Sequence, residues 1–166
     1  MTATITPSAP RILPVLDERN RPFWTGGRDG KLLILRDQRT GRWVHPPERV
    51  PPEAVMAQPR PVGAASGRES GASRSRPKAA PTGYLVAEPV SGKGHVFTYT
   101  VNHHVYHPEV PVPYVIALVE LDEQEGLRLP ANIVNCAIED VHIGLRVRVA
   151  FEAHGEVFVP VFEPDV

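Results

Sequence analysis

Three histidines lie close together between two apolar segments of the chain. His103, His104 and His107 fall within five residues, and Glu109 follows them. Imidazole is a common metal ligand and titrates near neutral pH, so metal binding or acid–base chemistry is the first hypothesis. Adjacent side chains of a strand point to opposite faces, however, and only His103 and His107 share a parity. We therefore predict no metal site here, and the segment remains a candidate contact for a ligand or a protein partner.

Other reactive side chains do not form a catalytic arrangement in the sequence. Cys136 is the only cysteine, and its charged neighbours Glu139 and Asp140 would raise rather than lower a thiol pKa. The segment Ser91–Gly94 resembles a phosphate loop in composition, but it opens a strand and lacks the helix that phosphate binding uses. The sequence therefore predicts a protein that is not an enzyme on its own.

Two strands flank the histidines. Residues Val96–Tyr106 alternate with period two, which is typical of a half-buried strand, and Tyr114–Leu121 is an almost unbroken apolar run. The alternation places Phe97, Tyr99, Val101 and Val105 together on one face of the first strand.

Three further strands follow, at Leu127–Asn135, Leu145–Glu152 and Glu156–Phe162, with a connection between the first and second of them. Five strands with this break predict the five-stranded Greek-key barrel called the OB-fold, which we place at residues 83–166. A two-sheet sandwich would need more strands.

A smaller module precedes the barrel. Residues 1–16 are predicted to form a flexible arm, and Asp17 is a plausible N-cap for a short helix that runs to about Arg28. A hairpin follows, with strands Lys31–Arg36 and Arg42–His45, so that the module spans residues 17–56. Residues 57–82 are rich in Pro, Gly and Ser, lack aromatic side chains, and predict a disordered basic linker.

Charge is distributed unevenly along the 166 residues. Residues 1–56 carry +3, residues 57–82 carry +4, and residues 83–166 carry −8. Nucleic-acid binding needs lysine and arginine against phosphates, so the acidic barrel disfavours that function. One cysteine, no apolar run of transmembrane length and no secretory signal predict a cytoplasmic protein that makes no membrane contact.

The order of the motifs resembles a known family. PFW, GKLLILR and GRWVHPP precede the linker, and PYVIALVELDE and IGLRVRV follow it. This order resembles the bacterial and archaeal zinc-ribbon/OB-fold proteins associated with acyl-CoA metabolism. The resemblance implies an N-terminal helix, a rubredoxin-like ribbon hairpin and a C-terminal OB-fold, and hence a mainly β protein.

The zinc ligands of that family are missing from this chain. The family holds zinc with two C-x-x-C pairs, and the matching positions here are Asp37 and Thr40, then Pro51 and Ala54. Structural zinc needs four ligands, mostly Cys and His. We therefore predict a degenerate ribbon without zinc and expect no other cofactor.

The resemblance also implies a function. Such proteins are non-catalytic accessory subunits that bind and stabilise a thiolase-like acyl-CoA enzyme, such as a steroid side-chain aldolase, in a hetero-oligomer. One alternative is an accessory subunit of a hot-dog-fold enoyl-CoA hydratase, and another is an OB-fold protein that binds single-stranded nucleic acid. The candidate contacts with the acyl-CoA or the partner are Phe23, Trp24, Arg36, Arg39, Arg42, Trp43, His45, His103, His104, His107 and Tyr114.

Overall fold

The structure is a computed structural model that describes residues 11–46, 54–55 and 84–166. The predicted linker, the first ten residues of the predicted arm, and Pro51 lie outside the described residues. The described elements are α1 (Arg21–Thr25), a 3₁₀ turn (Gly26–Asp29), β1 (Leu32–Asp37), β2 (Trp43–Val44), β3 (Leu85–Val90), β4 (Lys93–Asn102), β5 (Tyr114–Leu121), β6 (Arg128–Ile133), a second 3₁₀ turn (Ile138–Asp140), β7 (Arg146–His154) and β8 (Val157–Pro164). Within these described residues, no helix has the length and apolar character needed to cross a membrane.

Five strands close into a barrel in the order β4-β5-β6-β8-β7. All neighbouring pairs are antiparallel except β6 and β8, which meet in parallel where Ile133 pairs with Phe162. The interior is filled by fully buried side chains such as Val96, Val119 and Phe162. The predicted fold class is confirmed: the chain is mainly β, with a short helix and a hairpin ahead of a five-stranded OB-fold barrel.

The first barrel strand differs from its prediction. It ends at Asn102 rather than Tyr106, and its register shifts between Val96 and Thr98. Such a bulge places one extra residue on the strand, so the simple alternation of faces breaks. Phe97 and Tyr99, which the simple alternation placed on one apolar face, are 39% and 37% exposed.

A second, three-stranded sheet has the order β2-β1-β3. The hairpin of β1 and β2 was predicted, but β3 was not, and β3 pairs with β1 along six residues from Leu32↔Val90 to Asp37↔Leu85. Next to this sheet the backbone N–H of Tyr84 donates to the carbonyl of Ala54 at 2.8 Å, and Val55 forms a bridge with Leu85. The chain therefore returns to the ribbon sheet before it enters the barrel.

The helix is shorter than predicted, and its N-cap is Asn20 rather than Asp17. The Asp17 carboxylate instead accepts bonds from the backbone N–H groups of Arg19 and Asn20, both at 2.8 Å, in a turn before the helix. The following 3₁₀ turn approaches the barrel closely, because a Cβ on Gly27 would lie 2.5 Å from a ring carbon of Phe151. Glycine is therefore required at this position.

The ribbon module and the barrel share one hydrophobic core. Phe23 from α1 and Leu32 and Ile34 from β1 belong to the same buried cluster as the barrel interior. The turn between β5 and β6 adds polar contacts, since the Gln124 side chain accepts a bond from the Trp43 N–H at 3.0 Å and donates to the Trp43 carbonyl at 3.3 Å. These contacts fix the hairpin against the barrel.

The described part of the predicted arm is tied to the barrel at Arg11. Its guanidinium bonds to the Glu152 carboxylate at 2.8 Å on β7 and to the Asn132 side-chain oxygen at 2.6 Å on β6. The Glu152 side chain is only 9% exposed, so this is a half-enclosed ion pair that spans two barrel strands. Residues 11–16 therefore begin from a fixed point on the barrel surface.

Candidate functional site

The aromatic candidates of the first module form a packed cluster. Phe23 is buried, with Trp24 edge-on at 4.8 Å between ring centroids and His45 tilted at 5.1 Å. Trp24 and Trp43 are partly buried against the common core. Packing between the helix and the ribbon therefore explains the burial of Phe23. Trp24, Trp43 and His45 each expose part of their surface to solvent.

Two of the three ribbon arginines are engaged within the chain. Arg36 bonds to Glu88 of β3 at 3.1 Å and to the Gly41 carbonyl at 3.1 Å. Its guanidinium also lies 5.2 Å from the centre of the Trp43 ring. Hydrogen bonds from Gln38 and then Arg36 hold the pKa of the Glu88 carboxyl below its usual value, which stabilises the ionised partner.

Arg39 and Arg42 differ sharply in their surroundings. The Arg39 guanidinium lies 3.3 Å from the centre of the Tyr84 ring and also bonds to Asp37. Arg42 is exposed on the ribbon turn. A CoA phosphate or an acidic partner would therefore meet Arg42 first, whereas Arg36 and Arg39 would have to leave existing contacts.

The described zinc positions do not fit a metal. The Asp37 carboxylate accepts bonds from the backbone N–H groups of Arg39 and Thr40 and from the Arg39 side chain, which together lower its pKa, with the Arg39 side chain as the main cause. Thr40 is exposed, and Ala54, which has no donor atom, packs in a small cluster with Leu35. The residues present therefore make a turn and a hydrophobic contact where the family's cysteines would make a tetrahedral site.

The histidine segment is an exposed loop between β4 and β5. His104 stacks edge-on against Tyr106 at 4.7 Å, and His107 Nδ1 accepts the backbone N–H of Glu109 at 3.3 Å. His103, His104 and His107 are all exposed, and Tyr114 stands half-buried at the start of β5. Over the described ranges, no three metal-ligating side chains come together. The loop thus presents aromatic and imidazole surface without a built site.

Every basic side chain of the barrel is already paired with a carboxylate. The four cations of residues 84–166, which are described in full, form these contacts: Lys93 with Asp165 at 2.8 Å, Arg128 with Glu120 at 2.6 Å, Arg146 with Asp122 at 2.5 Å, and Arg148 with Glu163 at 2.9 Å. A phosphate would have to displace a carboxylate from each cation. This pairing adds to the net charge of −8 as an argument against nucleic acid.

Cys136 lies in an open groove at one end of the barrel. Burial, and secondarily the charge of Asp140, raises the pKa of its thiol. The groove has a volume of about 770 Å³ and is also lined by His142, Arg148 and Glu163. Because a nucleophilic cysteine needs a lowered pKa, this environment does not support catalysis.

Sequence reasoning missed two side chains that organise the surface, Arg11 and Gln124. Each makes its contacts with residues far away in the chain, separated by 141 positions for Arg11 and Glu152 and by 81 for Gln124 and Trp43. No local pattern marks either residue. The excess of acidic residues in the barrel was the one signal in the sequence, because it indicates that basic side chains from other segments would pair with the barrel.

Comparisons with known proteins match the architecture. Residues 87–152 match the model of the ChsH2 C-terminal OB-fold domain. The chain is 46% identical over 77 residues to a probable enoyl-CoA hydratase alpha subunit of Thermomonospora curvata. The aligned region covers 46% of this chain and 24% of that protein. It is 48% identical over 63 residues to a DUF35 domain-containing scaffold protein of Methanocaldococcus jannaschii, with coverage of 37% and 43%. The chain thus spans less than half the length of these curated relatives.

A solved structure extends the similarity to the ribbon module. A chain of the Ltp2-ChsH2(DUF35) aldolase matches with a TM-score of 0.64 and 28% identity, covering 93% of this chain and 100% of that chain. The similarity therefore includes the order of helix, hairpin and barrel, and the predicted resemblance to the acyl-CoA-associated family is confirmed. Over residues 87–152 the barrel of this chain is similar to the ChsH2 C-terminal OB-fold domain.

Proposed function

We propose that this chain is a non-catalytic accessory subunit that binds and stabilises a thiolase-like acyl-CoA enzyme, with a steroid side-chain aldolase as the favoured type. The observation that carries the proposal is the match to a chain of the Ltp2-ChsH2(DUF35) aldolase, because it covers 93% of this chain and all of that one. The match therefore supports an assembly in which both the ribbon module and the barrel take part.

The side chains of the described residues support an accessory role. The one thiol has a raised pKa, and the histidines nearest to each other in sequence are exposed on a loop. A nucleophile or a general base needs a neighbour that activates it and a cavity that holds the substrate. Binding to a protein partner needs neither an activating neighbour nor a substrate cavity. These features therefore fit a subunit that binds an enzyme whose catalytic residues lie in another chain.

Contact with the acyl-CoA is proposed at two exposed places. Arg42 offers a guanidinium on the ribbon turn for a phosphate, and the loop with His103, His104 and His107 offers donors and aromatic surface. Arg36 and Arg39 take part only if the ligand competes with Glu88 and Asp37. Arg42→Ala should therefore weaken CoA binding more than Arg39→Ala does.

A hydratase partner is the second candidate. It is favoured by the 46% identity over 77 residues to a probable enoyl-CoA hydratase alpha subunit. The two candidates share the accessory role and differ in the fold of the enzyme that is bound. Single-stranded nucleic acid is the third, and the paired cations of the barrel count against it.

Co-expression separates these candidates. The chain would be produced with each acyl-CoA enzyme encoded by a neighbouring gene, one thiolase-like and one hydratase, and complexes would be measured by size-exclusion chromatography with light scattering. A stable complex with the thiolase-like enzyme, with higher activity or a higher unfolding temperature than the enzyme alone, supports the proposal. A complex with the hydratase alone supports the second candidate. No complex with either, together with salt-sensitive binding of single-stranded DNA, would contradict both.

A further inference from the structure

We infer that the enzyme docks on the outward face of strands β4, β5 and β6, which we call the outer sheet face and define by Phe97, Ile116, Leu118 and Pro130. This inference rests on the proposed function and specifies where the partner binds. It places the docking surface on the wall of the barrel rather than on the ribbon turn or the histidine loop.

The register of the strands brings these residues together. Leu118 pairs with Thr98 on one side and with Pro130 on the other. In the next outward row, Ile116 pairs with Thr100 and with Asn132. Residues directly opposite each other in antiparallel strands have side chains on the same face. The outer sheet face is therefore continuous across three strands.

The alternation along β5 shows that this apolar surface points outward. Val115, Ala117, Val119 and Leu121 are at most 2% exposed and fill the barrel, whereas Ile116 and Leu118 are 41% and 37% exposed. A strand with one solvated face normally carries polar residues there. β5 instead carries large aliphatic side chains at two of its outward positions, Ile116 and Leu118, beside an exposed proline on β6. Contiguous exposed apolar area of this kind marks interaction sites.

A fixed aromatic–cation pair borders one end of the outer sheet face. The Arg128 guanidinium lies 3.3 Å from the centre of the Phe97 ring and bonds to Glu120 at 2.6 Å. Glu120 and Arg128 are themselves opposite each other in the register of β5 and β6. Arginine and aromatic side chains dominate the binding energy of protein interfaces, and here both are ordered before a partner arrives.

The anchored arm borders the other end. Asn132, opposite Ile116, accepts a bond from Arg11 at 2.6 Å. The next residue along the chain, Ile12, is fully exposed, and Leu13 is exposed in part. The backbone is thus tied to the barrel while aliphatic side chains remain in solvent beside the outer sheet face, which extends the apolar surface.

The negative charge of the barrel indicates what kind of protein binds the outer sheet face. Residues 83–166 carry −8, and their four cations are already paired, so two barrels brought face to face would repel each other. A different protein with an apolar patch and lysine or arginine around it is attracted instead. The outer sheet face therefore fits an enzyme subunit with a basic rim better than it fits the barrel of a second copy of this chain.

The test compares two sets of matched substitutions. Ile116→Thr combined with Leu118→Thr removes the aliphatic surface and leaves β-branched residues, which suit a strand, at both positions. Val166→Thr, at a fully exposed position outside the outer sheet face, makes the same kind of change elsewhere. Affinity is measured by biolayer interferometry against the acyl-CoA enzyme recovered by co-expression. We expect the double variant to bind about tenfold more weakly or worse, which corresponds to about 1.4 kcal/mol, and Val166→Thr to bind as wild type does.

The outcomes separate this inference from the proposed function. If wild type binds the enzyme and the double variant binds equally well, the docking surface is wrong while the accessory role stands. If wild type binds no acyl-CoA enzyme, both are overturned. If light scattering shows that wild type alone dimerises and the double variant does not, the outer sheet face serves self-association and the inference is overturned. Should the double variant fail to fold, Pro130→Thr is measured in its place, with the same expected loss.

Salt gives an independent measurement on the wild-type complex. An acidic barrel and a basic rim attract each other over a distance, so the association rate should fall as sodium chloride rises from low to physiological concentration. An association rate independent of salt would overturn the assignment of a basic-rimmed partner.

Discussion

The short ribbon hairpin depends on contacts outside its own two strands, and Gln124 provides one that can be removed by a single substitution. Strand β2 has two residues and pairs with β1 only at Leu35↔Val44 and Arg36↔Trp43. On the barrel side, the Gln124 side chain bonds both the N–H and the carbonyl of Trp43. Gln124→Ala removes both bonds and leaves the β5–β6 turn backbone unchanged.

The expected cost follows from the geometry. One net hydrogen bond contributes about 0.5–1.5 kcal/mol, and two would give about 1–3 kcal/mol. The bonds are partly buried and the second is long at 3.3 Å, so water can replace some of what is lost. We therefore expect the free energy of unfolding to fall by about 1–2 kcal/mol and the midpoint temperature by about 2–4 °C for each kcal/mol.

Urea unfolding followed by tryptophan fluorescence measures this change, since Trp43 itself reports on the contact. Glu125→Ala, at the next and exposed turn position, is the matched control and should change stability by less than about 0.5 kcal/mol. Gln124→Glu should fall between the two, because it keeps the acceptor for the N–H and loses the donor to the carbonyl. If Gln124→Ala is as stable as Glu125→Ala, the hairpin is held by β1 alone and the reasoning is refuted.

Three further predictions address the core, the acid limit and the metal. Phe23→Ala should lower the free energy of unfolding by about 3–5 kcal/mol in urea titrations, because it empties a site in the core that joins helix and barrel; a loss below about 1 kcal/mol would contradict that core. The Arg128 side chain holds the pKa of Glu120 below its ordinary value of 4.5. That pair therefore stabilises the fold above pH 4.5, and its contribution is lost as the pH falls through the lower pKa of the folded state. Glu120→Gln should therefore reduce the loss of stability at acidic pH in a plot of unfolding free energy against pH. An unchanged acidic region of that plot would argue against the pair. Elemental analysis should find far less than one zinc per chain, and a chelator should leave the unfolding midpoint unchanged; one bound equivalent would overturn the degenerate ribbon.

The sequence predicted the barrel well where strands are apolar and bounded by clear turns. The strand Tyr114–Leu121 was predicted with the bounds that the structure has, since an unbroken apolar run ends at an acidic turn. Strand β3 was missed because Pro89 interrupts a short segment, and its pairing with β1 compensates for what local propensity lacks. The bulge at Phe97 was also beyond local pattern, because a register shift depends on the partner strand.

The candidate site was harder to predict because its residues are defined by distant partners. The sequence predicted a cluster of arginines around the ribbon turn, but Glu88, which binds Arg36, lies 52 positions away. Likewise the apolar run of β5 was compatible with a strand buried on both faces or with a strand in a barrel wall, and only the closed barrel shows that Ile116 and Leu118 point outward. Composition therefore indicated the acidic character of the barrel, whereas the partner of each charged side chain can be seen only in the folded structure.

The bond between Tyr84 and Ala54 has a consequence for how the chain can be divided. The residues between Val55 and Tyr84 begin and end one hydrogen bond apart, at the edge of the ribbon sheet. A single cut there would leave β1 on one fragment and β3 on the other, still paired along six residues, with Phe23 of the first fragment seated in the core of the second. The two fragments would present complementary surfaces, so we expect halves produced separately to reassemble when they are mixed.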